Sequence, residues 1–270
     1  MPPVGLREYN TDATLVLGPA VIAILLNVLL GGVCFLQVIH YFSGKFGDTW
    51  PVFALVCWVA VINVADTVCA GNLMWYYTVD TYVDNTYALL APWQYHATAI
   101  SSSMISLPVQ HFLAWRMYQF SQSKALFALV SAMSITQGVL MIFVSASFIE
   151  EGESDAERLM PIFVVSYVAA LANEILITSN LLYHFYKHRT GMKNTDLVMS
   201  QLSRIVMETA IPVTLCSILA GVSVLAIPRS NVFLIFTMAM GRLYTNTLLT
   251  VRFPLCCIPA PTAQSNFLRP

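Results

Sequence analysis

The sequence predicts an all-α polytopic membrane protein of seven transmembrane helices, with the N-terminus outside and the C-terminus in the cytoplasm. Three observations predict it. The 270-residue chain is 57% hydrophobic and 10% charged, against roughly 25% charged residues in soluble domains, and its mean hydropathy is +0.70. Seven long apolar stretches alternate with short polar ones. Lys and Arg gather in alternate connections, which sets the orientation. The formal net charge of −1 says little about partners, because in a membrane protein the placement of charges matters more than their sum.

Residues 1–15, "MPPVGLREYNTDATL", read as a short extracellular tail, too polar and too poor in basic residues for a cleaved signal peptide. The first apolar stretch, 16–42, serves as its own insertion signal. Its run "VIAILLNVLLGGVCFL" is apolar almost all round, which suits a helix and not a barrel strand that alternates faces. The further spans are 52–77, 89–118, 125–148, 160–186, 203–227 and 231–250. Each exceeds or meets the roughly 20 residues that cross a bilayer. The seven-helix domain covers 16–252, and 253–270 form a short cytoplasmic tail.

Nine of the thirteen basic residues fall on one side: Lys45, Arg116, Lys124, Lys187, Arg189, Lys193, Arg204, Arg252 and Arg269. Arg7, Arg158 and Arg229 fall on the other, and Arg242 falls on neither. The basic side is the cytoplasmic one. Cys34, Cys57, Cys69 and Cys216 lie in helices and no outside loop carries a cysteine, so no extracellular disulfide is expected. Cys256 and Cys257 follow the last span at the inner headgroups, where juxtamembrane cysteines are candidates for reversible acylation.

Several segments carry a family resemblance: "LGP" (17–19), "GGVCFLQVIHYF" (31–42), "NVADT" (63–67), "VQHFLAWRMYQFS" (109–121), "RTGMKNTDLVMSQL" (189–202), "META" (207–210) and "RLYTNTLLTVR" (242–252). In this order they resemble the seven-helix membrane proteins of mushroom-forming fungi with the domain of unknown function 6534. The last segment is the most specific. Where the family's second-helix Asp-Thr is usually followed by Leu-His, this chain has Val68 and Cys69. The resemblance implies a fold and a membrane location, and no activity.

Function is therefore argued from polar groups inside the spans. Asp66, Glu174 and Arg242 lie deepest, about 21, 18 and 15 Å from the cytoplasmic ends at 1.5 Å per residue. Each alone costs about 2.5–3.5 kcal/mol at a helix centre on insertion scales, so Arg242 needs a partner. If consecutive helices close into a ring, helix seven returns beside helices one and two. Asp66 is then the first choice and Glu174 the alternative, with Asn63 and Asn246 as helical neighbours able to hydrogen-bond the charges. A structural lock is the plainer reading and a substrate or ion site the sharper one.

His96, Ser103 and Gln110 recur at seven-residue spacing on the third helix and form a candidate cavity face; close helix packing explains the same residues equally well. At the cytoplasmic ends Glu208 is a candidate counter-charge for Arg116, although Arg204, one turn before Glu208, is the simpler partner. His184 and His188 have an i, i+4 spacing but no third ligand, so they read as an interfacial rim and no metal is expected.

Inventory narrows the class. The lysines all lie in loops or at helix ends, so a retinal Schiff base is excluded. No catalytic constellation, phosphate loop or nucleic-acid surface is present, and no cofactor is expected. The expectation is a non-enzymatic, receptor- or sensor-like bundle in the plasma membrane, with an internal membrane as the alternative, taking a small apolar ligand from the outer half and engaging a cytoplasmic partner. The alternative is a small-molecule or ion transporter using the mid-membrane charged layer, against which the odd helix count and lack of repeats weigh.

Overall fold

The computed structural model describes residues 4–44, 50–80, 92–121, 123–151, 156–187, 195–227 and 230–256. Among them the elements are seven helices: α1 (Val4–Ser43), α2 (Trp50–Thr78), α3 (Trp93–Ser121), α4 (Lys124–Glu151), α5 (Ala156–Lys187), α6 (Thr195–Ala226) and α7 (Val232–Cys256). Five hold stretches long and apolar enough to cross a membrane: Leu17–Ser43, Trp50–Thr78, Lys124–Glu150, Pro161–Asn180 and Val232–Thr250. Large apolar side chains such as Leu29, Leu36, Val61 and Leu225 point outward and are more than half exposed. A coat of that kind suits a lipid bilayer.

The hydropathy reading gives seven spans and the structure five clear ones. Among the described residues α6 offers only the shorter apolar run Ala210–Ala226, and α3 none. The physical reason lies in the surroundings of α3, which packs against α2, α4, α5 and α7. A helix enclosed by protein can carry His96, Thr98, Ser103 and Gln110, all buried, without presenting them to lipid.

Some boundaries also differ. Residues 4–15, expected as a tail, are the first turns of α1, with no proline before Pro19 to break them. The third helix begins at Trp93, after Pro92, and its first turn closes with the Tyr95 N–H donating to the Pro92 carbonyl at 2.9 Å. At the other end, α7 runs to Cys256 and takes residues 253–256 from the expected tail.

Consecutive helices pack side by side and α7 returns against α1 and α2, with α3 reaching across to α5 and α7. The buried stripe of α2 shows how sequence sets this packing. Val52, Val56, Val59, Asn63, Asp66, Ala70, Leu73 and Tyr77 recur every three or four residues, the period of one helix face. One end of that stripe joins Ile105, Val109, Tyr244 and Leu248 in an apolar core. The other joins Ala20, Ile24, Leu234 and Met238 in a second one. Asn63 and Asp66 fall between the two.

Within α3, Pro108 lacks the N–H that would bond the Met104 carbonyl. Trp58 of α2 supplies a replacement, its Nε1–H donating to that carbonyl at 3.1 Å. A backbone acceptor freed at membrane depth is thus satisfied by a neighbouring helix, as the absence of water there demands.

Candidate functional site

The middle of α7 organises two polar clusters from Arg242, Tyr244 and Thr245. The first contains Arg242, 1% exposed. Its Nη2 lies 2.8 Å from Asp66 Oδ2 and also donates to Thr67 Oγ1 at 3.0 Å. Nη1 donates to Asn63 Oδ1 at 2.6 Å and to the Asn63 carbonyl at 3.0 Å. Nε donates to Asn27 Oδ1 at 2.8 Å. A guanidinium has five N–H donors, and these five bonds use them all. Asn27 then donates to Asp66 Oδ2 at 3.2 Å, and Asn63 to Thr245 Oγ1 at 2.8 Å. The result is charge-balanced and closed, except that Asp66 Oδ1 has no partner.

Gly31 of α1 makes room for this arrangement. A Cβ there would stand 3.3 Å from Arg242 Cζ, tighter than ordinary contact, against a guanidinium pinned by five bonds. Nearby, Cys34 Sγ donates to the Arg242 carbonyl at 3.4 Å.

The second cluster lies among α3, α4, α5 and α7. Gln110 Nε2 donates to Glu174 Oε1 at 2.5 Å and to the Tyr244 hydroxyl at 2.8 Å, while that hydroxyl also donates to Glu174 Oε1. Gln110 Oε1 accepts from Gln137 Nε2 at 2.6 Å and from Asn173 Nδ2 at 3.3 Å. Asn173 Nδ2 further donates to Ser134 Oγ at 2.8 Å. Gln110, Ser134, Gln137, Asn173, Glu174 and Tyr244 are all buried.

The two clusters differ in their charge. Arg242 and Asp66 compensate each other, whereas no cation pairs with Glu174 among the described residues. In the second cluster Gln137 Oε1 and Asn173 Oδ1 are buried with no hydrogen-bond partner. Buried polar groups are normally satisfied, so two unsatisfied oxygens in the network that holds an unpaired acid stand out.

Of the residues singled out in the sequence, the structure places Asp66, Asn63 and Arg242 together and Glu174 elsewhere, with Gln110. Asn246 does not reach Arg242. It accepts instead from Gln37 of α1 and from Thr250 at 3.2 Å, because a side chain one turn along faces α1 at another depth.

The line His96, Ser103, Gln110 is divided among three roles. His96 stacks on Phe148 at a ring-centroid distance of 4.9 Å and 10° between planes. Ser103 donates to the Ala99 carbonyl at 2.9 Å, and only Gln110 enters the cluster. The side chains of Arg116, Arg204, Glu208, His184 and Cys256 lie outside the described residues, as do His188 and Cys257 altogether.

Sequence reasoning missed Asn27, Gln137 and Asn173. Each is a carboxamide inside a helix read as a membrane span, and Asn27, alone in an apolar run, shares the stripe Ala20, Ala23, Asn27, Gly31, Cys34; those two signals would have found Asn27.

Residues 169–251 match a family described as a family of unknown function (DUF6534). The matched stretch spans the second half of α5, α6 and most of α7, and so includes Asn173, Glu174, Arg242, Tyr244 and Asn246. No match is found among the curated proteins or among the solved structures.

Proposed function

We propose that this chain is a non-enzymatic, receptor- or sensor-like bundle of seven membrane spans, with its N-terminus outside, its C-terminus cytoplasmic, and the plasma membrane as its site. On this reading the fungal family resemblance extends over the whole chain, beyond the matched 169–251. The observation that carries the reading is the contrast between two faces of α7. One face is fixed to α1 and α2 by an ion pair with all five guanidinium donors used. The other meets α3, α4 and α5 through an acid without a counter-ion and carboxamide oxygens without donors. A helix anchored on one side and incompletely satisfied on the other is a two-state element that an occupant of the second side would bias. The occupant reaches it from the outer half, and the response appears at the cytoplasmic ends of α3, α5 and α6, where a cytoplasmic partner would read it.

The test is a distance measurement. Spin labels at the cytoplasmic ends of α3 and α6, in nanodiscs, should give a distance distribution that shifts when Glu174 is replaced by Gln, because that change alters the unsatisfied side alone. An identical distribution in both proteins would remove the sensor reading. A mid-depth acid without an ion-pair partner among the described residues also favours the second reading, an ion-coupled transporter. Solute or ion flux across proteoliposomes that is lost in Glu174→Gln would decide for transport.

A further inference from the structure

The unpaired acid of the second cluster has a chemical requirement of its own. A buried carboxyl group is compensated by a cation, a metal ion or a proton, and the described part of the chain supplies no cationic side chain to Glu174. The hydrogen bonds that Glu174 accepts from Gln110 and Tyr244 both run to Oε1. The amide nitrogens of Gln137 and Asn173 both converge on Gln110 Oε1, at 2.6 and 3.3 Å, and turn their oxygens elsewhere. A carboxamide's oxygen and nitrogen are only about 2.3 Å apart by covalent geometry. Both free oxygens therefore lie within about 6 Å of Gln110 Oε1, at the carbonyl end of the amide whose nitrogen holds the acid.

We infer that the Gln110, Gln137, Asn173 and Glu174 cluster is a binding site for a monovalent cation, of which sodium is the probe. Glu174 supplies the charge, and the oxygens of Gln137 and Asn173, 6% and 0% exposed and without donors, supply neutral ligands. Oxygen-only ligands of this kind suit hard cations. One carboxylate balances one positive charge, whereas a divalent ion would leave a net charge in the hydrocarbon, where charge is expensive. Gln110 acts as the positioning residue: its amide is saturated by Glu174, Tyr244, Gln137 and Asn173, so it orients three ligands and offers none itself. The inference rests on the proposed function only in sharing its site.

Thermal unfolding of the purified full chain in sodium chloride against choline chloride, at equal ionic strength, tests it. Sodium should raise the midpoint with a saturable dose dependence, by about 2–4 °C at tenfold saturation. Glu174→Gln and, separately, Asn173→Leu should each abolish the sodium dependence, while Gly71→Ala, where an added Cβ meets nothing within 4 Å, should retain it. Equal midpoints in the two salts would overturn the proposal, and so would a sodium shift that survives Glu174→Gln. Should Glu174→Gln fail to fold, Gln137→Leu combined with radioactive sodium binding gives the same decision. A sodium effect with unchanged spin-label distances would keep the site and remove the sensor reading; the opposite pair of results would remove the site alone.

Discussion

Arg242 pairs with Asp66 at 2.8 Å, and the consequence is a strongly coupled pair. Arg242→Leu leaves a buried carboxylate alone, and Asp66→Asn leaves a buried guanidinium alone. Each should cost about 3–5 kcal/mol, as breaking one side of a buried pair does. The double change Asp66→Asn with Arg242→Gln should recover much of the loss, because Asn27, Asn63 and Thr67 can hydrogen-bond neutral amides. Folded yield and thermal midpoint in membranes measure the cycle, and additive losses would show that the two residues do not interact. Full recovery of activity in the double mutant would mark the pair as a lock; recovered folding without activity would mean that the charges themselves are used.

At the scale of elements, α7 packs against α6, α1, α3 and α2, and it meets α3 closely at Gly241. A Cβ on Gly241 would stand 3.0 Å from Ser102 Oγ and 3.5 Å from Ser102 Cα, so a side chain here meets backbone as well as a hydroxyl. Small residues at such crossings let membrane helices pack closely. Gly241→Val should therefore push α3 from α7 and cost about 1–3 kcal/mol, the usual range for overpacking. Gly71, where a Cβ would meet nothing within 4 Å, is the control: Gly71→Ala should leave the thermal midpoint unchanged or higher. The same displacement should disturb the contacts among Gln110, Glu174 and Tyr244, since α3 and α7 carry two of the three. A midpoint in Gly241→Val equal to that of wild type would show that the crossing tolerates a wider spacing.

For the whole molecule, the distribution of basic residues predicts orientation. With nine of the thirteen Lys and Arg on the side of the C-terminus, a tag at the N-terminus should be reached by antibody on intact cells and a tag at the C-terminus only after permeabilisation. C-terminal labelling of intact cells would reverse the assignment. The enclosed position of α3 fits its composition: a helix packed against four others carries His96, Thr98, Ser103 and Gln110 buried.

Much of this was legible in the sequence because a bilayer imposes strict demands on a chain. Helices follow from the need to satisfy every backbone group without water, and long apolar runs with a lone arginine require a partner for it. The sequence alone thus determined the helical class, the approximate spans, and the need to compensate Arg242. It also narrowed that partner to Asp66 or Glu174. Only the tertiary structure decided between them, since the choice depends on which helices lie beside α7 and on rotations about their axes that hydropathy does not record. The same rotations sent Asn246 to Gln37 instead of Arg242, divided His96 from Gln110, and brought Gln137 and Asn173 to the amide of Gln110. Side chains from four helices meet there, and no periodicity within one helix encodes such a meeting.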